Sequence, residues 1–219
     1  MKINTNNYKN IWFTSDWHIG HNKEFLYGPR GCESRDEHVR LLIDGVNKLA
    51  GRDDLIIHMG DVSLTATSEE LTSWFEEINC KNFWSITGNH DNNYARFLTE
   101  YKQKFENCTY RNLGPFKEAM FMEPSPVVGE KARRFSLTLC HYPLQIWNKS
   151  HHGSWSLCGH SHNSFEGSSW MNPVGKKFDC GVEAALEFDE KVLFSWEDVK
   201  AIMSTKQIFV GDHHNSKTS

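Results

Sequence analysis

Gly88-Asn89-His90-Asp91 is the stretch on which the reading of this chain turns, because four other short polar motifs share its setting. They are Asp16-Trp17-His18, Gly60-Asp61, Cys140-His141 and Gly159-His160-Ser161-His162. Each follows directly on a run of β-branched, aromatic or aliphatic residues, at 11–14, 55–57, 83–87, 135–139 and 154–157. Runs of that length and composition predict buried strands. In open α/β sheets, ligands bind in the crevice beyond the carboxyl ends of the strands. Five such strands would deliver all five motifs to one edge.

The residue types then suggest a chemistry. Four imidazoles (His18, His141, His160, His162), two carboxylates (Asp16, Asp61) and the amide of Asn89 form a mixed nitrogen and oxygen donor set. That is too many donors for one tetrahedral ion. It suits two neighbouring divalent ions of intermediate softness, manganese first, with iron, zinc, cobalt or nickel as alternatives, sharing one carboxylate. Two such ions outweigh the two carboxylates in charge, so the site stays cationic and favours a phosphate.

The ordered set Asp-x-His, Gly-Asp, Gly-Asn-His-Asp, His and Gly-His-x-His resembles the calcineurin-like metallophosphoesterase superfamily. The likeness is strongest to its small single-domain bacterial and phage members, through residues 12–22, His141-Tyr142-Pro143-Leu144, Gly159-His160-Ser161-His162 and Asp179-Cys180-Gly181-Val182. It runs from about residue 11 to about residue 200, within a single domain expected over 1–210. The resemblance implies a four-layer αββα sandwich, two β-sheets flanked by helices. It also implies a ligand set: Asp16, His18 and His162 for one metal, Asn89, His141 and His160 for the other, and Asp61 bridging, with a shared hydroxide as nucleophile. His90, not needed to complete either metal sphere, is the implied general acid. Relatives often carry a similar loop after the first strand, which makes His21 and Asn22 candidates for substrate contact.

One departure narrows the substrate. Protein phosphatases of this superfamily carry Asp-Arg-Gly after the Gly-Asp motif, whereas this chain continues Val62-Ser63-Leu64-Thr65-Ala66. The expectation is a small phosphorylated substrate, a phosphodiester, cyclic phosphate or nucleotide, with a phosphomonoester as the alternative. A nuclease and a non-catalytic scaffold, like the retromer subunit that resembles these enzymes, are the other readings, and the retained His90 speaks against the scaffold.

Composition is consistent with this. A chain of 219 residues can bury a substantial core. A formal charge of −4 gives no global basic surface, so nucleic acid is not an expected partner. The six cysteines form no C-x-x-C pair, residues 1–10 are polar with no apolar leader, and no apolar stretch approaches the ~18 residues of a membrane span, so a cytoplasmic, reducing setting without membrane attachment is expected.

Along the chain, residues 1–10 are expected to be only partly ordered. Apolar residues at helical spacing predict a helix over 34–50 with Ser34 and Glu37 as a capping box, and a second opened by Thr67 and Glu70. A third amphipathic helix carries Tyr94, Phe97, Leu98, Tyr101 and Phe105. His58 reads as a core histidine, Arg133 and Arg134 as a solvated pair, and His151 and His152 as substrate-facing or structural. Strands are expected at 178–182 and 191–194, then a helix capped by Ser195 and Asp198, and a solvated, flexible tail over 211–219. Substrate choice is expected from the loops around His21, Arg30, Arg96 and His151.

Overall fold

The apolar runs form strands at the predicted places, and they divide between two sheets. The computed structural model describes residues 1–104 and 109–209, and for 101–104 the backbone alone. The strands are β1 (Lys2–Asn4), β2 (Ile11–Thr14), β3 (Leu55–His58), β4 (Asn82–Ser85), β5 (Thr109–Asn112), β6 (Phe116–Glu123), β7 (Arg133–Cys140), β8 (Trp155–Cys158), β9 (Lys177–Asp179) and β10 (Phe194–Ser195). The helices are α1 (Glu24–Tyr27), α2 (Arg35–Leu49), α3 (Ser68–Glu77), α4 (Asn92–Lys104), α5 (Val182–Asp189) and α6 (Trp196–Thr205). One sheet has the order β10-β2-β3-β4-β5 and the other β1-β6-β7-β8-β9. Both mix parallel and antiparallel pairs, and with the flanking helices they form the expected α/β sandwich.

Register explains how the motifs meet. Strands β2 to β5 run parallel in one sheet and β7 to β9 run parallel in the other, so the five motif-bearing strands end at one edge of the sandwich. Alternation along each strand fills two cores. Ile11, Phe13, Leu55 and Ile57 turn inward against Phe121, Leu137, Leu139 and Leu157 of the facing sheet. Ile56 and Phe83 turn outward against Val39, Leu42 and Val46 of α2, Leu71 and Phe75 of α3, and Tyr94 and Phe97 of α4. Burial on both faces is why these strands read as continuous apolar runs. Trp196 of α6 joins the inter-sheet core, stacking on Phe121 at 4.9 Å.

The Thr67–Glu70 and Ser195–Asp198 capping boxes are both complete. At α2 only half of one forms: Ser34 accepts from the Glu37 amide, but the Glu37 carboxylate takes the amide of Glu33 instead. Three expectations change. Residues 1–10 are not loose, because Lys2–Asn4 pairs in parallel with Met120–Met122. The strand expected over 178–182 stops at Asp179, and Val182 opens α5, a helix too short and too apolar to show a periodic stripe. The strand expected over 191–194 begins only at Phe194, as β10, and β5, with Tyr110 as its single buried residue, gives no alternation to read. Phe105, Cys108, the side chain of Tyr101 and the 211–219 tail lie outside the described residues. Among the described residues the cysteines are free and buried, and no helix is long and apolar enough to cross a membrane.

Candidate metal centre

The loops beyond β2, β3 and β4 are laced together before any donor is placed. The amides of Asp16, His18 and Ile19 donate to the carbonyls of Gly60, Asp61 and Val62. Asp91, buried, closes the lacing: its carboxylate accepts from the amides of Asp61 (2.9 Å), Val62 (2.7 Å) and Gly88 (2.8 Å). Asp61 Oδ1 in turn accepts the amide of His90 at 2.9 Å. The second sheet is tied in by Asp16 Oδ2, which accepts the amide of His160 at 2.9 Å. Glycine is required where these loops touch. A Cβ at Gly60 would stand 2.8 Å from both the Gly88 amide nitrogen and His141 Nδ1, and one at Gly159 would overlap Ser15 Oγ.

The lacing forces five of the seven candidate ligand residues, Asp16, His18, Asp61, His160 and His162, into left-handed backbone with φ between 45° and 70°. Each such residue costs on the order of 1 kcal/mol or more. Strain of that kind persists only where the surroundings over-determine it.

Two groups of potential metal ligands result, Asp16 with His18 and His162, and Asp61 with His141 and His160, each with its donor atoms within 4.8 Å of one another. Asp61 Oδ2 lies between them, 3.6 Å from His18 Nε2 and 3.3 Å from His141 Nε2. Asn89 is exposed and brings its Oδ1 to 3.1 Å from His141 Nε2.

These donors fit a divalent ion. His141 Nδ1 faces the Met59 carbonyl at 3.0 Å, which places the ring proton there in the neutral form and turns the Nε2 lone pair toward the oxygens of Asn89 and Asp61. Lone pairs facing lone pairs need a cation between them. In the other group, Asp16 Oδ1 and His18 Nε2 are buried without a hydrogen-bond partner, and Asp16 Oδ1 lies 3.9 Å from the Nε2 atoms of both His18 and His162. Orphaned polar atoms are rare in native interiors.

Burial and neighbours spread the titrations. Burial drives the His18 imidazole well below its ordinary range and raises the Asp16 carboxyl, helped by Asp179 beside it. At His141 burial pulls downward, but the hydrogen bond that the protonated ring donates to Asp61 and the charges of Asp16 and Asp61 outweigh it and leave the ring above its ordinary value. At His162 burial again pulls downward and Glu183 reverses it. His18 is therefore hard to protonate, whereas His141 and His162 hold a proton more readily than a free imidazole. Metal affinity is accordingly expected to fall at a higher pH than ordinary imidazole ligands would give, by about tenfold per pH unit for each ligand that must lose a proton. Competition titrations of manganese against a chelator between pH 8 and 5 check this, and a flat affinity down to pH 6 would contradict it.

His90 stands outside both groups, half-buried, with its ring 5.4 Å from that of His18 in a cavity of about 580 Å³. His21 lines the same cavity, while Asn22 is exposed and does not. Arg30, expected near the substrate, is instead buried and bonded to Glu183 and to the carbonyls of Asp16 and Trp17. Arg96 lines a separate hollow beside α3 and α4. His151 and His152 lie with their rings 4.1 Å apart and tilted by 48° in a one-turn helix and do not line the cavity. His58 is buried and accepts the Gly60 amide, and Arg133 and Arg134 are exposed.

A model of the calcineurin-like phosphoesterase family matches residues 9–180, which span all the ligand motifs. The chain belongs to this family. Its two groups of possible metal ligands lie within the matched segment. Among curated proteins it is similar to the Gene 66 protein of Mycobacterium phage L5, 32% identical over 84 residues, a match spanning 37% of this chain and 40% of that protein. Among solved structures it is similar in fold to the protein of unknown function AQ665 from Aquifex aeolicus, at 15% identity and a TM-score of 0.54 over 88% of this chain and 98% of that one.

Three residues that hold this metallophosphoesterase site together were not among the expected ligands or catalytic groups. Asp179, buried, holds the Gly-His-Ser-His loop by accepting from Ser161 Oγ (2.5 Å) and the amides of Gly181 and Asn163. Glu183 receives both Arg30 and His162. The available signal for Glu183 was its place one residue beyond Asp179-Cys180-Gly181-Val182; Arg30 gave none.

Proposed function

We propose that this metallophosphoesterase is a dinuclear phosphodiesterase acting on small or nucleotide-like esters that carry apolar or aromatic groups. The observation that carries the reading is the flanking of the two ligand groups. Beside the Asp16 group, the cavity has an apolar wall of Phe25, Leu26, Pro29 and Leu64, and Phe25 is 74% exposed. Beside the Asp61 group stands the half-exposed Tyr142, its ring 4.6 Å from that of His160 and its hydroxyl donating to Asn89 Oδ1. A phosphodiester has two organic groups to seat, and the centre has an apolar surface on each side. Among the described residues no lysine or arginine lines the cavity, so nothing beyond the metal centre and its histidines would neutralise a second phosphate or a terminal dianion.

In this reading Asp16, His18 and His162 would hold one ion and Asn89, His141 and His160 the other, with the Asp61 carboxylate available to both. The ions, when bound, activate water and offset charge on the phosphoryl oxygens during in-line displacement. The chain's own residues do the rest. Asp91 and the lacing amides fix the donors, and His90 gives a proton to the departing ester oxygen. Phe25 and Tyr142 seat the two organic groups.

Initial rates on an aryl phosphodiester and the matching aryl monoester, with manganese and with the metal-depleted Asp61→Asn variant as control, test the reading. The diester is expected to be turned over at least tenfold faster. A monoester preference abolished by the same variant would overturn it in favour of a small-molecule phosphatase.

A further inference from the structure

Arg30 is an unusual residue to find sealed in the protein, because a guanidinium loses its hydration there and must replace it completely. Its side chain is wholly buried, and its partners all lie behind the metal centre. Nη1 donates to the Trp17 carbonyl at 2.9 Å and to His38 Nε2 at 2.6 Å, and Nη2 to the Asp16 carbonyl at 2.6 Å. Nε and Nη2 both reach Glu183 Oε1, at 2.9 and 2.7 Å. The guanidinium therefore grips the backbone of the Asp16-Trp17-His18 loop and a carboxylate from α5 at the same time.

That carboxylate is the link to the ligands. Glu183 Oε1 also accepts from His162 Nδ1 at 2.9 Å, which leaves His162 Nε2 as the free lone pair, 3.9 Å from Asp16 Oδ1. The other group has no counterpart. Behind His141 is only the neutral carbonyl of Met59, and among the described residues no carboxylate backs the ring of His160, which is exposed. A carboxylate behind a histidine ligand fixes its tautomer and ring plane, and loss of such a partner typically weakens metal binding by about 10- to 100-fold.

We infer that Glu183, clamped by Arg30, is a positioning residue for His162 and makes the Asp16–His18–His162 group the tighter of two unequal metal sites. The two-ion reading of the preceding section underlies this. The Arg30 clamp adds a second element: the same cation that aims Glu183 also holds the consecutive carbonyls of Asp16 and Trp17, so Asp16 and His162 share one anchor. Filling of the two sites would follow an order, with the Asp61 group loading second.

The test is a calorimetric titration of manganese into the metal-free full chain, with thermal melting of each metal-free variant alongside. The wild type should show two steps of different affinity. His160→Ala should remove the weaker step and so identify it. Glu183→Ala should weaken the tighter step by about 10- to 100-fold and leave the weaker one in place. Glu183→Gln should retain most of the tighter step, because its amide oxygen can still accept from His162. If Glu183→Ala fails to fold, with Arg30 left unpaired, the double variant Arg30→Met, Glu183→Met removes both buried charges together and should show the same selective loss. Equal weakening of both steps, or two unchanged steps, would overturn the inference. A single ion bound by the wild type would instead overturn the two-ion reading, and Glu183 would keep its role only if Glu183→Ala still weakened that ion.

Discussion

His90→Ala is expected to keep both ions and lose about 10²- to 10⁴-fold in kcat, the usual range for removing a positioned proton donor. The structure gives two reasons to expect that separation. The ring of His90 belongs to neither ligand group, and the part of His90 that supports the site is its backbone amide, which donates to Asp61 Oδ1 and survives the substitution. KM should change little, since the lost interaction forms with the departing oxygen rather than with the ground-state ester. The dependence on leaving group is the sharper measurement. Alkyl esters, which need their leaving oxygen protonated, should suffer far more than nitrophenyl esters, which do not. A uniform loss across both would remove His90 from the proton transfer, and loss of an ion would make it a ligand after all.

Asp61→Asn is expected to do the reverse, emptying the centre while leaving the fold intact. The asparagine carbonyl can still accept the His90 amide, but its NH2 would replace Oδ2, the oxygen poised 3.6 Å from His18 Nε2 and 3.3 Å from His141 Nε2. An amide there donates to the same imidazole lone pairs that an ion would use, and the bridging charge is gone. Metal affinity should fall by more than the ~10- to 100-fold that an outer-shell partner costs. The metal-free variant should melt no lower than the metal-free wild type. Metal analysis after dialysis, paired with a melting curve in chelator, checks both statements. A variant that retains two ions would exclude Asp61 as the bridge.

Much of this architecture could be read from the chain because its information was local. The runs before Asp16, Asp61, Gly88, His141 and Gly159 are buried on both faces and announce strands by composition alone. The motifs then lie at their carboxyl ends because parallel strands leave nowhere else for them. What could not be read is what depends on partners far away in sequence. Lys2–Asn4 looks like a polar terminus until β6 supplies its ladder, more than a hundred residues on. The helix α5 has eight residues and buries Val182, Ala184 and Ala185 against neighbouring elements, so no periodic stripe forms. Arg30 and Glu183 are separated by 153 residues and have the composition of ordinary surface charges. Only the fold shows that they are buried together behind His162. The loop residues His21 and Asn22 show the opposite limit: adjacent in sequence, they part at the cavity rim, with His21 inside and Asn22 in solvent.

The division of the ligands between the two sheets has a mechanical consequence. In the Asp16 group, two donors follow β2 of one sheet and His162 follows β8 of the other; in the Asp61 group, Asp61 follows β3 while His141 and His160 follow β7 and β8. An ion in either group is thus a cross-link, closing loops of roughly a hundred residues between two layers otherwise joined mainly by side-chain packing. Such a rivet binds only the closed sandwich, so it raises resistance to unfolding by mass action as well as supplying chemistry. The distance across which each group's donors face one another is then tied to the thickness of the apolar layer beneath them. A volume change at Ile57 or Leu139, deep between the sheets, would reach the reacting phosphorus as a change in gauge.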